Sequence, residues 1–195
     1  MSSLRSFLLG LLFATCATAP LVAQFPVPLG HTPDESTKPA EIREIVSKYC
    51  RLDYEGARLD PQAWPSVQPV VWWKANPDYT QINVISRYTV DTAPVLRHGK
   101  YTVTVHYRLL GSYDLVTGYV PEPANIVQDV DYTVTAVNDE WRISDADNPF
   151  PHPSRAAMLK WLNDKVASTQ DANAKTLYQE ALRQLRAQSG SPFAQ

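Results

Sequence analysis

The sequence predicts an α+β fold: an N-terminal helix packed on a strongly twisted antiparallel meander sheet, with a C-terminal helical extension. Three observations carry this. Apolar residues recur at helical spacing over residues 40–56. The period then drops to two over residues 79–91, 100–110 and 126–144. Beyond residue 153 the spacing is helical again. At 195 residues and 44% hydrophobic content, the chain can bury one sizeable core.

The first segment predicts export. Arg5 precedes an apolar run from Phe7 to Ala19, 13 residues long. That is short of the ~20 a spanning helix needs, and it matches a secretory signal rather than a membrane span. Cleavage is expected after Ala23, because cutting after Ala19 would leave Pro20 first. Lipidation at Cys16 is disfavoured, since Thr15 stands where a small Gly or Ala belongs. Residues 24–39 carry Pro26, Pro28, Pro33 and Pro39 without apolar periodicity, and read as a flexible leader. Removing residues 1–23 leaves 17 basic against 20 acidic residues, a net charge of −3. Without a basic patch, nucleic acid is not an expected partner. Cys50 is then the lone cysteine, too few for a disulfide scaffold or a cysteine zinc site.

The remaining elements follow in order. Pro39 suits a first helical turn, Glu41 and Glu44 favour the positive end of the dipole, and Gly56 supplies a stop. Between them Ile42, Ile45, Val46, Tyr49, Cys50 and Asp53 share a stripe, so Cys50 is expected to be buried. Pro61 and Pro65 flank Trp64 in a short helix or turn. Residues 69–73 (Pro-Val-Val-Trp-Trp) read as a short strand. In the next strand Ile82, Val84, Ser86, Tyr88 and Val90 oppose Asn83, Ile85, Arg87, Thr89 and Asp91. Pro94 and His98-Gly99 mark a turn. Tyr101, Val103, Val105, Tyr107 and Leu109 then oppose Thr102, Thr104, His106, Arg108 and Leu110. A long loop holding Gly111, Gly118, Pro121 and Pro123 follows. Val130, Tyr132 and Val134 oppose Asp129, Asp131, Thr133 and Thr135. Asn138-Asp139 turns into the last strand, where Trp141 and Ile143 share the core face. Three prolines between Asp147 and Pro153 end the sheet, and Ser154 is placed to cap a helix. Its stripe is Met158, Trp161, Leu162 and Val166; Tyr178, Leu182 and Leu185 mark a second helix over 171–188. Residues 189–195 read as a disordered tail. The expected organisation is signal 1–23, leader 24–39, α+β domain 40–150, helical extension 151–188 and tail.

Three residue groups resemble the NTF2-like superfamily, the SnoaL-like or cystatin-like cone fold. They are the helix end Tyr49-Cys50-Arg51-Leu52-Asp53-Tyr54-Glu55-Gly56-Ala57-Arg58-Leu59, the alternating strands 79–91 and 100–110, and Glu140-Trp141-Arg142-Ile143. The resemblance spans residues 39–148. It implies a cone-shaped pocket between helix and sheet. It singles out no activity, because that fold hosts isomerases, dehydratases, cyclases and binding or dimerisation modules.

The face turned to such a pocket would carry Val84, Ser86, Tyr88, Val103, Val105, Tyr107, Val130, Tyr132 and Val134, with neither carboxylate nor histidine. Trp72, Tyr88, Tyr107 and Tyr132 are the candidate ligand-binding residues, suited to a small apolar ligand. Arg87, His106, Arg108, Asp129 and Asp131 fall on the opposite face, as a charged ladder that is solvated or faces a second copy in a homodimer. Asp53 is the isolated catalytic candidate. Desolvation would raise its pKa and make it a base, with Tyr88, Tyr107 or Tyr132 as proton donor, in an isomerase or lyase. The competing role is a helix-end acid bonded to Arg58 or a tyrosine. His31, His98, His106 and His152 are scattered, none with a carboxylate or histidine at i+2 or i+4 on a shared element, and Asp145-Ala146-Asp147 lacks the rest of a calcium loop, so no metal or cofactor is expected. The expected function is an exported, non-enzymatic binding or interaction module, with the isomerase or lyase as the alternative.

Overall fold

The computed structural model describes residues 38–137 and 140–188. The expected signal, nearly all of the expected leader, the expected turn at Asn138-Asp139 and the expected tail lie outside the described residues. Helix α1 (Lys38–Tyr54) buries Ile42, Val46, Tyr49, Cys50 and Asp53, the stripe that the spacing predicts. It stops at Gly56, whose φ of 90° suits glycine. Gly56 N–H returns to the Asp53 carbonyl and Ala57 N–H to the Leu52 carbonyl, both at 2.9 Å, a Schellman pair. This sharp reversal turns Ala57, Arg58 and Leu59 into the interior.

The strand expected at 69–73 does not form. Pro65 and Pro69 each sit in a first helical turn, where a missing N–H costs nothing, giving α2 (Trp64–Val67) and a 3-10 turn over Gln68–Val70. Val71 makes only an isolated parallel bridge to Ile143.

Six strands form one antiparallel sheet: β1 (Gln81–Val90), β2 (Val95–Arg97), β3 (Lys100–Asp114), β4 (Gly118–Pro121), β5 (Val127–Val137) and β6 (Glu140–Ala146). The main order is β1-β3-β5-β6, and both β2 and β4 pair with β3. His98 and Gly99, with φ of 50° and 74°, make the two-residue β2–β3 turn. The predicted long loop after residue 110 is partly strand. Strand β3 runs on to Asp114, whose Oδ1 accepts from Val116 and Thr117 N–H at 2.8 and 2.7 Å, and β4 returns alongside. Gly111 permits this return, since a Cβ there would collide with the Tyr119 ring and the Val120 carbonyl.

Register shifts around Ile85 reverse the side-chain parity of β1. Ile85 is therefore fully buried in the cluster under α1 that Tyr88 and Val90 also join. Ile82 and Val84 instead join a second cluster with Leu59, Tyr113 and Tyr119. That cluster is closed by α3 (Arg155–Ser168) and α4 (Ala172–Ala187) through Met158, Leu162, Ala181, Leu182 and Leu185. Strict alternation had placed Val84 on the pocket face and Ile85 opposite; the bulge overturns both. The C-terminal helices thus complete the core. Ser154 caps α3 by accepting from Ala157 N–H, and Asp171 caps α4.

A four-residue strap, Pro151–Ser154, joins the two halves. The carbonyls of Pro151 and Pro153 accept from Asn83 and Ile85 N–H of β1 at 2.9 and 3.0 Å. The intervening N–H groups point the other way: Ser154 donates to the Tyr54 carbonyl at 2.8 Å and His152 to Asp53 at 2.9 Å. Prolines stand at the two positions where no N–H is used.

Candidate functional site

Two places gather chemistry. The first lies inside, between α1, the sheet and the strap. Asp53, on the α1 stripe, is 1% exposed, and its Oδ2 accepts the His152 backbone N–H at 2.9 Å. Neither expected partner binds it: Arg58 Nη1 donates to Tyr49 Oη at 3.1 Å and Arg58 Nε to Asn76 at 3.2 Å. Burial works against the Arg58 charge, but Tyr49 and Asp53 around it outweigh that and keep the guanidinium protonated. The His152 ring is fully buried and stacks on Tyr107, centroids 4.0 Å apart and nearly parallel. Its Nε2 lies 3.3 Å from Gln128 Oε1, which also accepts from Asn83 Nδ2 at 3.1 Å. Its Nδ1 lies 3.7 Å from Asp53 Oδ2. Tyr107 Oη shares hydrogen bonds with Tyr132 Oη at 2.8 Å and Cys50 Sγ at 3.2 Å.

This interior holds a carboxylate, a guanidinium and an imidazole beside the predicted rings, and none of the three comes from the sheet face: Asp53 is on α1, Arg58 in the turn after it and His152 in the strap. Asp53 was visible from its stripe. Arg58 was expected beside it as a partner, which it is not, whereas His152, Asn83 and Gln128 were not visible, because the strap and the bulge bring them in from separate segments.

The chemistry of the interior is that of a closed structure. Burial pushes the Tyr107 and Tyr132 hydroxyls well above their ordinary pKa, with neighbouring tyrosine and cysteine adding to it, so both hold their protons. Burial likewise pushes the Cys50 thiol up to about 12. A proton donor works best with a pKa near the working pH, and these shifts run the wrong way. Among the described residues, Asp53 Oδ1, Arg58 Nη2 and His152 Nδ1 make no hydrogen bond. Of the four candidate ligand-binding residues, Tyr107 and Tyr132 are sealed and Tyr88 is half-buried, edge-on to Tyr54. Trp72 is 50% exposed and apart from them; it is Trp73 that meets Tyr49.

The second place is the outer sheet face. One end of it is covered by α3 and α4, through Ile82, Val84 and Tyr113. Beyond the bulge it is open, and the register sets out three rows. Arg87, Arg108 and Val127 form the first row, Thr89, His106 and Asp129 the second, and Asp91, Thr104 and Asp131 the third. The expected ladder of opposite charges is only partly made. Arg87 sits opposite Arg108, and like charges in that position repel. Arg108 donates to Asn125 Oδ1 at 2.9 Å, whereas the Arg87 side chain is exposed and makes no hydrogen bond or ion pair among the described residues. Asp129 pairs with His106 at 2.6 Å, and Asp91 holds the other ring nitrogen at 3.1 Å. The hydrogen bonds that the His106 ring donates, to Asp129 first and Asp91 second, raise its pKa above its ordinary value.

Among the described residues no group of three metal-ligating side chains occurs, and no helix is long and apolar enough to cross a membrane. No family model matches the chain, and neither a curated protein nor a solved structure matches it significantly.

Proposed function

We propose that the chain is an exported, non-enzymatic interaction module of the NTF2-like plan, which acts through its open outer sheet face and pairs there with a second copy of itself. One observation carries this reading: the groups that would do chemistry are spent indoors, while charge without a partner stands outdoors. Asp53 is committed to the strap, and Tyr107 and Tyr132 are closed to water. On the outer face the Arg87 side chain has no partner among the described residues, and Val127 is 51% exposed. A reaction needs a titratable group that substrate can reach. An interface needs an exposed patch with unmet partners.

The test is the state of association of the mature chain, starting at Gln24, by sedimentation velocity across micromolar concentrations. A reversible dimer is expected, and a monomer throughout would overturn the reading. Export is tested separately, by N-terminal sequencing of protein recovered outside the cytoplasm. The isomerase or lyase alternative retains one supporting feature, the unbonded Asp53 Oδ1. It requires the strap to leave before substrate can enter.

A further inference from the structure

The geometry points to a particular docking of the two copies: crossed sheets, with the two arginines of each copy seated on Asp129 and Asp131 of the other. This rests on the self-association proposed above and adds its orientation and its specificity-determining residues.

The argument starts from the pattern of the three rows. On the open half of the outer face, the cations lie in the first row and on the first two strands of it, Arg87 on β1 and Arg108 on β3. The anions lie in the later rows, with Asp129 and Asp131 together on β5. A face of this kind carries its own complement, displaced along a diagonal. A two-fold axis lying in the interface and running from Val127 through His106 towards Asp91 exchanges rows with strands. Arg87 of one copy then faces Asp131 of the other. Arg108 faces Asp129, Thr89 faces Thr104, and Val127 meets its own copy on the axis. An isologous pairing demands such self-complementarity.

The same axis crosses the strands of the two sheets at near right angles, a known mode of sheet packing. Crossing also directs the α3–α4 pair of each copy towards the sheet margin beyond β5 of the other, instead of over its open face. Strands stacked in parallel alignment through the same centre bring those helices against the partner's sheet. Rows are about 7 Å apart along a strand and strands about 5 Å apart, a mismatch that an arginine side chain spans. Docking removes the repulsion between Arg87 and Arg108 by giving each a carboxylate, and a guanidinium on a carboxylate is among the stronger hydrogen-bonded pairs. His106, already on Asp129 and Asp91, offsets the charge where like meets like on the axis.

The experiment is a charge exchange with mixing. One variant carries Arg87→Glu and Arg108→Glu, the other Asp129→Arg and Asp131→Arg. All four positions are on the open face, and thermal melts confirm that each variant folds. Should a doubly reversed variant fail to fold, the neutral pair Arg87→Gln and Arg108→Gln replaces it. Each variant alone is expected to self-associate at least tenfold more weakly than the wild type. An equimolar mixture is expected to recover dimers, detected as heterodimers by native mass spectrometry, and wild-type association should weaken with salt. Dimers of unchanged affinity in both separate variants would overturn this docking and leave the self-association intact. So would failure of the mixture to recover any. A monomeric wild type would remove the self-association itself, and the docking with it.

Discussion

Replacing Asp53 with alanine separates a structural clamp from a catalytic base by the sign of the effect. The carboxylate is 1% exposed and accepts the His152 N–H at 2.9 Å, holding the strap to α1. Without it a buried N–H has no partner and the hydrogen bond between α1 and the strap is lost, together worth about 2–4 kcal/mol. The unbonded Oδ1 leaves as well, which relieves part of that, so a net loss of about 2–3 kcal/mol is expected. Asp53→Asn keeps an acceptor oxygen for His152 and should lose less than half as much. Urea denaturation of the three proteins, with unchanged slopes, reads both differences. A catalytic acid kept in a closed interior is commonly retained at the expense of stability, so its removal stabilises. An Asp53→Ala protein as stable as the wild type, or more so, would refute the clamp.

Four further outcomes follow from the geometry. Gly111→Ala should destabilise by roughly 1–3 kcal/mol or more through overpacking, since Tyr119 and the Val120 backbone occupy the space; chemical denaturation measures it. Trp141 is half-buried and edge-on to Tyr101 at 5.5 Å, so Trp141→Ala should cost about 2 kcal/mol in a thermal melt, below the ~3–5 of a fully buried indole. Cys50, its thiol pushed up to about 12 by burial, should resist a thiol reagent in the native protein and react on unfolding. For His106, bonded to Asp129 and Asp91, an NMR titration should give a midpoint above the ordinary value of about 6.5, and Asp129→Asn should lower it. Because that pKa is raised, its stabilisation is complete below about pH 6.5 and fades as pH rises through the higher folded value. The side chain is 37% exposed, so the whole effect should stay under ~1 kcal/mol.

The periodic elements were legible because burial imposes a repeat on them. The α1 stripe and the β3 alternation could be read residue by residue, as could the cap at Ser154 or the stop at Gly56. What escaped the period were its interruptions. Two register shifts on β1 invert the faces of Ile82 to Ile85, and no propensity marks them. The Val-Val-Trp-Trp run has strand composition, yet the proline before it begins a 3-10 turn. The interior polar cluster escaped for a different reason. Its members come from α1, the Schellman turn, β1, β5 and the strap, so their meeting is a property of the tertiary fold. His152 looked isolated because its partner is 99 residues away.

The strap has a consequence for biosynthesis. Asn83 and Ile85 leave the ribosome long before the carbonyls of Pro151 and Pro153 that receive their N–H groups. Until then β1 offers an unpaired margin, the template on which another nascent chain can add a strand. Once seated, the strap cannot pass the pairing on, because its prolines have no N–H and its remaining donors are taken by α1. A nascent or prematurely terminated chain lacking residues after 150 should therefore aggregate through β1 and call on chaperones, whereas the chain that carries the strap seals that margin itself.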